Sequence, residues 1–278
     1  MHKFVDSVEK LANMPRLSPE NAALLFRAQG SKLPYLKPKL WEQLQKDGIA
    51  KEDALRIEFD TISYFKARAR TYLDPRLIPQ EHDVGEWLAL MQHYGAPTRM
   101  LDWTTSLNVA LYFAVARREG SGDSEDGAVW FFETGILLDL MKEMKPYLKE
   151  QYAQICADRE SFVAFGLNRA RPNVWAYYPD LPTDRMLAQG GILTFSEQPL
   201  CDHALLIGQA LLHYRKEHPK FSGLVKLVIP AEAKAALREY LIKIDVHAST
   251  LFPGLDGIGN TIREMIELET KAHLPRAS

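Results

Sequence analysis

The stretch from His93 to Ala114, HYGAPTRMLDWTTSLNVALYFA, limits what this chain can fold into more than any other. Gly95 and Pro97 set the backbone of a turn, and three hydroxyl residues, Thr104, Thr105 and Ser106, stand directly before a segment with helical patterning. Leu107, Ala110, Leu111, Ala114 and Val115 form one apolar stripe, and Arg117 and Arg118 follow where cations suit the end of a helix dipole. A Thr or Ser at the N-cap satisfies the free amide donors of the first turn. The fold must therefore place a shaped loop, an Asp, a Trp and three hydroxyls at an electropositive helix mouth, which favours phosphate or another anion.

A chain of 278 residues with 46% hydrophobic and 25% charged content has enough apolar material for one large domain or two modest ones. A net charge of -2 gives no global basic field and so does not point to wholesale electrostatic binding of nucleic acid, though it leaves room for local basic patches. Cys156 and Cys201 lack metal-type spacing, which points to a reducing compartment and away from a disulfide framework or a cysteine zinc site. The opening MHKFVDSVEKLANMP is polar and amphipathic, and no apolar run approaches the roughly 20 residues of a membrane span. The expectation is a cytoplasmic protein without a membrane partner.

Residues 1–19 read as a short helix carrying Phe4, Val8 and Leu11, broken at Pro15. The run NAALLFRAQG that follows reads as a buried strand delivering Arg27 to an edge or cleft, where the guanidinium either serves a site or snorkels to water. Helical spacing recurs over 41–72 and again over 83–93, so 41–92 is expected to form a lobe covering the sheet, with Lys66, Arg68 and Arg70 on a solvated face. Further strands are expected at 128–133, 192–195 and 224–229, and helices at 136–152, 158–167, 203–218 and from Pro230 through Leu241. Residues 172–182, rich in Pro and aromatics, show no period and read as an irregular connection. Gly190 and Gly191 read as a bulge or a close approach to a ligand, and the tail as a Pro/Gly turn and a final helix.

The histidines show no metal spacing, no paired carboxylate motif appears, and GxSxG, P-loop and GxGxxG patterns are absent, so no metal is expected. A triad of Ser106, His93 and Asp102 can be drawn, but three common residue types in a short span carry little weight.

Five separated motifs, FRAQG at 26–30, HYGAPTRMLDWT at 93–104, ALYFA at 110–114, RMLAQGGILTF at 185–195 and LFPGLDG at 251–257, resemble in the same order those of the FRG domain. The resemblance covers roughly residues 20–262, leaving 263–278 as a C-terminal helix and tail. It implies an association with bacterial and phage conflict genes. A strand ending in Arg, a hydroxyl-rich strand end followed at once by an AxxFA helix, and a late strand preceded by a catalytic residue also resemble arginine-type ADP-ribosyltransferases. That resemblance implies a catalytic set of Arg27, Thr104, Ser106 and Gln189, and NAD held by Arg27, Gln29, His93, Tyr94, Asp102 and Thr105. Such a transferase places Glu where this chain has Gln189; Glu197 lies a few residues on. A carboxylate there steadies the positive charge on the ribose as nicotinamide leaves, which a neutral amide does less well.

The expected fold is α+β: a single mixed domain with a split, mostly antiparallel sheet and a helical lobe, ADP-ribosyltransferase-like. The expected function is an NAD-dependent ADP-ribosyltransferase-like toxin or anti-phage defence effector acting on a protein or nucleic acid acceptor. The alternative is a non-catalytic module that recognises a nucleotide or a partner in the same cleft. Both require one pocket that gathers Arg27, His93, Thr104 and Gln189.

Overall fold

The structure, a computed structural model, describes residues 24–46, 48–116, 124–133, 150, 158–168, 173–215 and 223–273. The helices expected over 1–19 and, apart from residue 150, over 136–152, and the pair Arg117 and Arg118, lie outside these residues.

Six strands form one sheet: β1 (Leu24–Gln29), β2 (Met100–Thr104), β3 (Gly127–Glu133), β4 (Val174–Tyr177), β5 (Gly191–Ser196) and β6 (Val225–Ile229), in the order β4-β5-β2-β1-β3-β6. Every neighbouring pair is antiparallel. The mixed α+β architecture and antiparallel sheet agree with the expectation from sequence. β1 pairs with β3 from Leu24↔Glu133 through Gln29↔Ala128, and β2 with β5 from Met100↔Phe195 through Thr104↔Gly191. Between β1 and β2 only Phe26↔Thr104 is in register. The sheet is thus two three-stranded halves joined at one point, with a seam opening beside Arg27.

The described helices are α1 (Lys39–Lys46), α2 (Lys51–Tyr72), α3 (Val84–His93), α4 (Leu107–Val115), α5 (Arg159–Leu167), α6 (Asp184–Ala188), α7 (His203–Arg215), α8 (Lys234–Lys243), α9 (Ala248–Leu251) and α10 (Leu255–His273). None of them is long and apolar enough to cross a membrane. Gly48, at φ 65°, separates α1 from α2 where one helical segment was expected. Asp83 caps α3 by accepting from Glu86 N, and Ser106 caps α4 by accepting from Val109 N. The last helix, α10, runs without a break through residue 262.

The 172–182 segment departs from the irregular connection expected of it, because it contains β4. All four residues of β4 are buried, so apolar side chains occupy both faces and the alternation that signals a half-exposed strand is missing. Five residues of α6 were likewise too few to show a helical period.

Strand alternation divides the core. One face packs Leu25, Trp103, Phe132 and Ile192 against Ile207 and Leu211 of α7. On the other face, α4 and α8 cover the β1-β3-β6 half through Leu111, Val129 and Leu237, while α2, α3 and α5 cover the β2-β5-β4 half through Leu55, Leu88, Phe162 and Phe195. At about 25 cal/mol per Å² of apolar surface removed from water, these clusters supply the main drive to fold.

A buried ion pair fixes the helical lobe to the sheet. Arg99, just before β2, donates Nε to Glu58 Oε1 at 2.7 Å and Nη2 to Glu58 Oε2; its Nη1 donates to the carbonyl of Glu197 at 2.7 Å. Both side chains are 2% exposed, so neither charge has water to fall back on. Of the cations expected on a solvated face, Lys66 and Arg70 pair with Glu81, and Arg68 lies over the Tyr64 ring.

Candidate functional site

A cleft of about 540 Å³ opens between α3, the Pro179–Arg185 segment and the seam of the sheet. Arg27, His93, Tyr94, Asp102 and Gln189 all line it. Residues separated by up to 162 positions in the chain therefore share one cavity, but Thr104, the fourth residue that both sequence-derived functions require there, is not in its lining.

Arg27 reaches the cleft because β1 and β2 stop pairing beside it. Its Nη1 donates to the main-chain carbonyl of Asp102 at 2.6 Å, and its Nε is enclosed without a partner. Burial weakens the proton's hold on the guanidinium, and the carboxylates of Asp102 and Glu42 strengthen it again; arginine stays charged in any such setting. The Asp102 side chain is exposed in the cleft, where it stands beside the Arg27 charge.

His93 ends α3, with Nδ1 3.2 Å from Thr183 Oγ1 and its ring edge-on to Tyr94. Burial, and then the nearby Arg185 charge, hold its pKa below the usual histidine value, so the ring is neutral at neutral pH. Tyr94 is 62% exposed at the rim. Gln189 caps the C-terminus of α6 and donates Nε2 to Leu251 O at 3.0 Å.

The remaining residues expected at the site face inward. Thr104 Oγ1 donates to the Gln189 carbonyl at 2.6 Å and accepts from Ser106 N at 3.0 Å. Ser106 is the N-cap of α4. Gln29 donates to Tyr35 O and accepts from Trp130 Nε1 at 2.7 Å. Thr105 N donates to Gly190 O, and a Cβ at Gly190 would lie 2.8 Å from Thr105 Oγ1. Gly190 sits at φ 56°, so its freedom serves the close approach of Thr105 rather than of a ligand. Of these four side chains only Thr104 bonds Gln189, through its main-chain carbonyl, and none of the four lines the cleft.

Glu197 is also spoken for. Its Oε2 accepts from Asn173 N at 2.8 Å, and its carbonyl takes Arg99. It is 3% exposed and stands outside the cleft lining.

Sequence reading passed over Lys39, Glu86, Asp184 and Arg185, which line the cleft as well. Arg185 lies over the Phe252 ring, 4.7 Å from its centroid. Glu86 was hidden inside an ordinary helix start, Asp83-x-x-Glu86, which reads as a capping signature. Asp83, Glu86 and Asp180 bring carboxylate oxygens within 4.8 Å of one another, a grouping invisible in sequence because Asp180 is so distant.

Residues 22–123 match the family model of the FRG domain. That span contains Arg27, His93, Tyr94, Asp102 and the three hydroxyls and ends before Gln189. No curated protein and no solved structure matches the chain.

Proposed function

We propose that the cleft binds NAD with its pyrophosphate on Arg27, and that the chain is an ADP-ribosyltransferase-like effector that passes ADP-ribose to an acceptor. The observation that carries this reading is the Arg27 guanidinium at the seam of the sheet, tied by one nitrogen to Asp102 O and lining a cleft shared with His93, Tyr94 and Gln189. A planar, permanently charged fork in a sheltered groove is suited to a pyrophosphate. Lys39 and Arg185 add positive charge to the same lining. The two-halved sheet with an Arg at its seam is what the transferase resemblance implies; the toxin or anti-phage defence setting rests on the FRG likeness alone.

The position held by Glu in such transferases favours a second reading, recognition without turnover. Gln189 is neutral and its amide is bound to Leu251 O, and Glu197 is buried elsewhere. The test is incubation with labelled NAD and protein, RNA or DNA acceptors, following nicotinamide release and label transfer. Slow, acceptor-dependent transfer is the expected result. Binding without either event assigns the cleft to recognition, and failure to bind NAD at all overturns the transferase reading.

A further inference from the structure

We propose that Glu86 is the carboxylate with which this cleft holds the hydroxyls of the ribose lying across the pyrophosphate from adenine. The inference rests on the reading of the cleft as an NAD site and supplies the acidic group that Gln189 and Glu197 do not.

Glu86 occupies the third position of α3, where a glutamate ordinarily turns back to cap the helix start. Here the Asp83 N–H donates instead to Gln80 O at 3.0 Å, and Glu86 turns away to other elements. Its Oε1 accepts from Tyr177 OH at 2.8 Å and from Asp180 N at 2.7 Å. Gly85 makes this possible, since a Cβ there would lie 2.5 Å from the Tyr177 ring. One oxygen is thereby locked in place. The other, Oε2, has no partner among the described residues and is not among the sealed polar atoms, while Glu86 lines the cleft.

The charges around Glu86 do not account for a carboxylate. The residue is 6% exposed, yet no Lys, Arg or His among the described residues forms an ion pair with it. Lys66 and Arg70 are engaged by Glu81. The ionisable groups that face Glu86 are Asp83 from its own helix start, Tyr177 from β4 and Asp180 after it, none of them cationic. Burial raises its pKa above the usual range; the hydrogen bonds from Asp180 N and Tyr177 OH oppose this and the Asp83 and Asp180 charges add to it. A glutamine would receive the same two donors on its oxygen without burying a lone charge, which is costly. A carboxylate at this position is explained by what Oε2 meets, and an acceptor-only oxygen in a cleft with Arg27 suits the paired hydroxyl donors of a sugar attached to a phosphate.

The experiment is calorimetric titration of ADP-ribose and ADP into wild-type protein, Glu86→Gln and Arg27→Lys, without divalent metal and again with magnesium. ADP lacks the second ribose, so the ratio of the two affinities reports on it. Glu86→Gln keeps an oxygen for Tyr177 and Asp180, and its circular dichroism melt should follow that of the wild type. The expected result is at least a tenfold loss of ADP-ribose affinity with ADP affinity unchanged, whereas Arg27→Lys weakens both. In the wild type the same ratio should fall as the pH is lowered and Glu86 takes up a proton.

Unchanged ADP-ribose affinity in Glu86→Gln, with Arg27→Lys still impaired, overturns the Glu86 assignment and leaves the NAD site standing. Equal losses of ADP and ADP-ribose in a folded Glu86→Gln variant also overturn it, as does a loss seen only with magnesium, which would make the acidic group a cation site. Failure of wild-type protein to bind either nucleotide overturns the NAD reading itself and the inference with it.

Discussion

Arg27 Nη1 donates to the Asp102 carbonyl at 2.6 Å, across the gap where β1 and β2 cease to pair. A side chain here takes up a main-chain acceptor that the neighbouring strand leaves unmatched, which anchors the guanidinium at the mouth of the cleft. Lysine could restore one donor but not a fork that grips two phosphate oxygens. Arg27→Lys is expected to lower NAD affinity about tenfold or more, the scale of one charge-assisted hydrogen bond. Calorimetry reads the affinity and thermal melting the fold; equal affinity in the two proteins rejects the role.

The Arg99 and Glu58 pair makes a prediction about stability alone. Neither side chain lines the cleft, and removing one leaves the other charged and sealed from water. Glu58→Ala is expected to cost about 3–5 kcal/mol in urea unfolding. A loss below about 1 kcal/mol, as for an exposed pair, would mean that the lobe is held on by packing alone.

Legibility in the sequence followed the way each signal is encoded. Strands β1, β3, β5 and β6 and helices α3, α4 and α7 announced themselves through apolar runs, periodicity and caps that are local in sequence. β4 did not, because burial on both faces erased its alternation. At the site, Arg27, His93, Tyr94, Asp102 and Gln189 were recognisable as unusual residues in unusual motifs, and they do share one cleft. The hydroxyls of Thr104 and Ser106 could not be sorted into ligand-facing or structural, since that depends on Gln189 O and Val109 N lying within reach. Glu86 escaped because its distinguishing contacts, Tyr177 and Asp180, arrive from more than ninety residues away.

The hydroxyl residues now carry a definite expectation. Ser106→Ala removes the α4 cap and should cost about 1 kcal/mol, within the range for such caps. Thr104→Ala breaks the tie to the Gln189 carbonyl and leaves Ser106 N without its acceptor, at about 1–3 kcal/mol. Neither should change NAD affinity in the folded protein. A variant that melts like the wild type yet fails to bind would place its hydroxyl on the ligand instead.

Stability should fall in mild acid, and among the described residues His203 is the chief cause. Burial, then the charge of Arg27, push its pKa down to about 3, and its ring contacts Thr194 Oγ1 at 2.8 Å. The unfolded chain binds that proton near pH 6.5, so between about 6.5 and 3 the unfolded state holds more protons and is favoured as pH drops. His93, also lowered, acts in the same direction, whereas Glu86, raised, opposes them above the ordinary glutamate range. Between pH 7 and pH 5 the His203 contribution amounts to about 2 kcal/mol. His203→Leu should start less stable at pH 7 but lose less on acidification, measured as the shift in urea midpoint; equal shifts would acquit the residue.

Gln189 decides between a wall and a catalytic group. Its amide donates to Leu251 O at 3.0 Å, joining α6 to α9, and its carbonyl holds Thr104. Gln189→Glu removes the donor and sets a carboxylate against a carbonyl oxygen, so the variant is expected to melt earlier at neutral pH. On acidification the protonated carboxyl can donate again, and the deficit relative to wild type should shrink. Gln189→Ala loses the hydrogen bond without adding charge and should show a deficit independent of pH. If Gln189→Glu instead melts like the wild type and speeds nicotinamide release from NAD, the side chain faces the ribose. Gln189 would then be the residue that keeps this cleft slow.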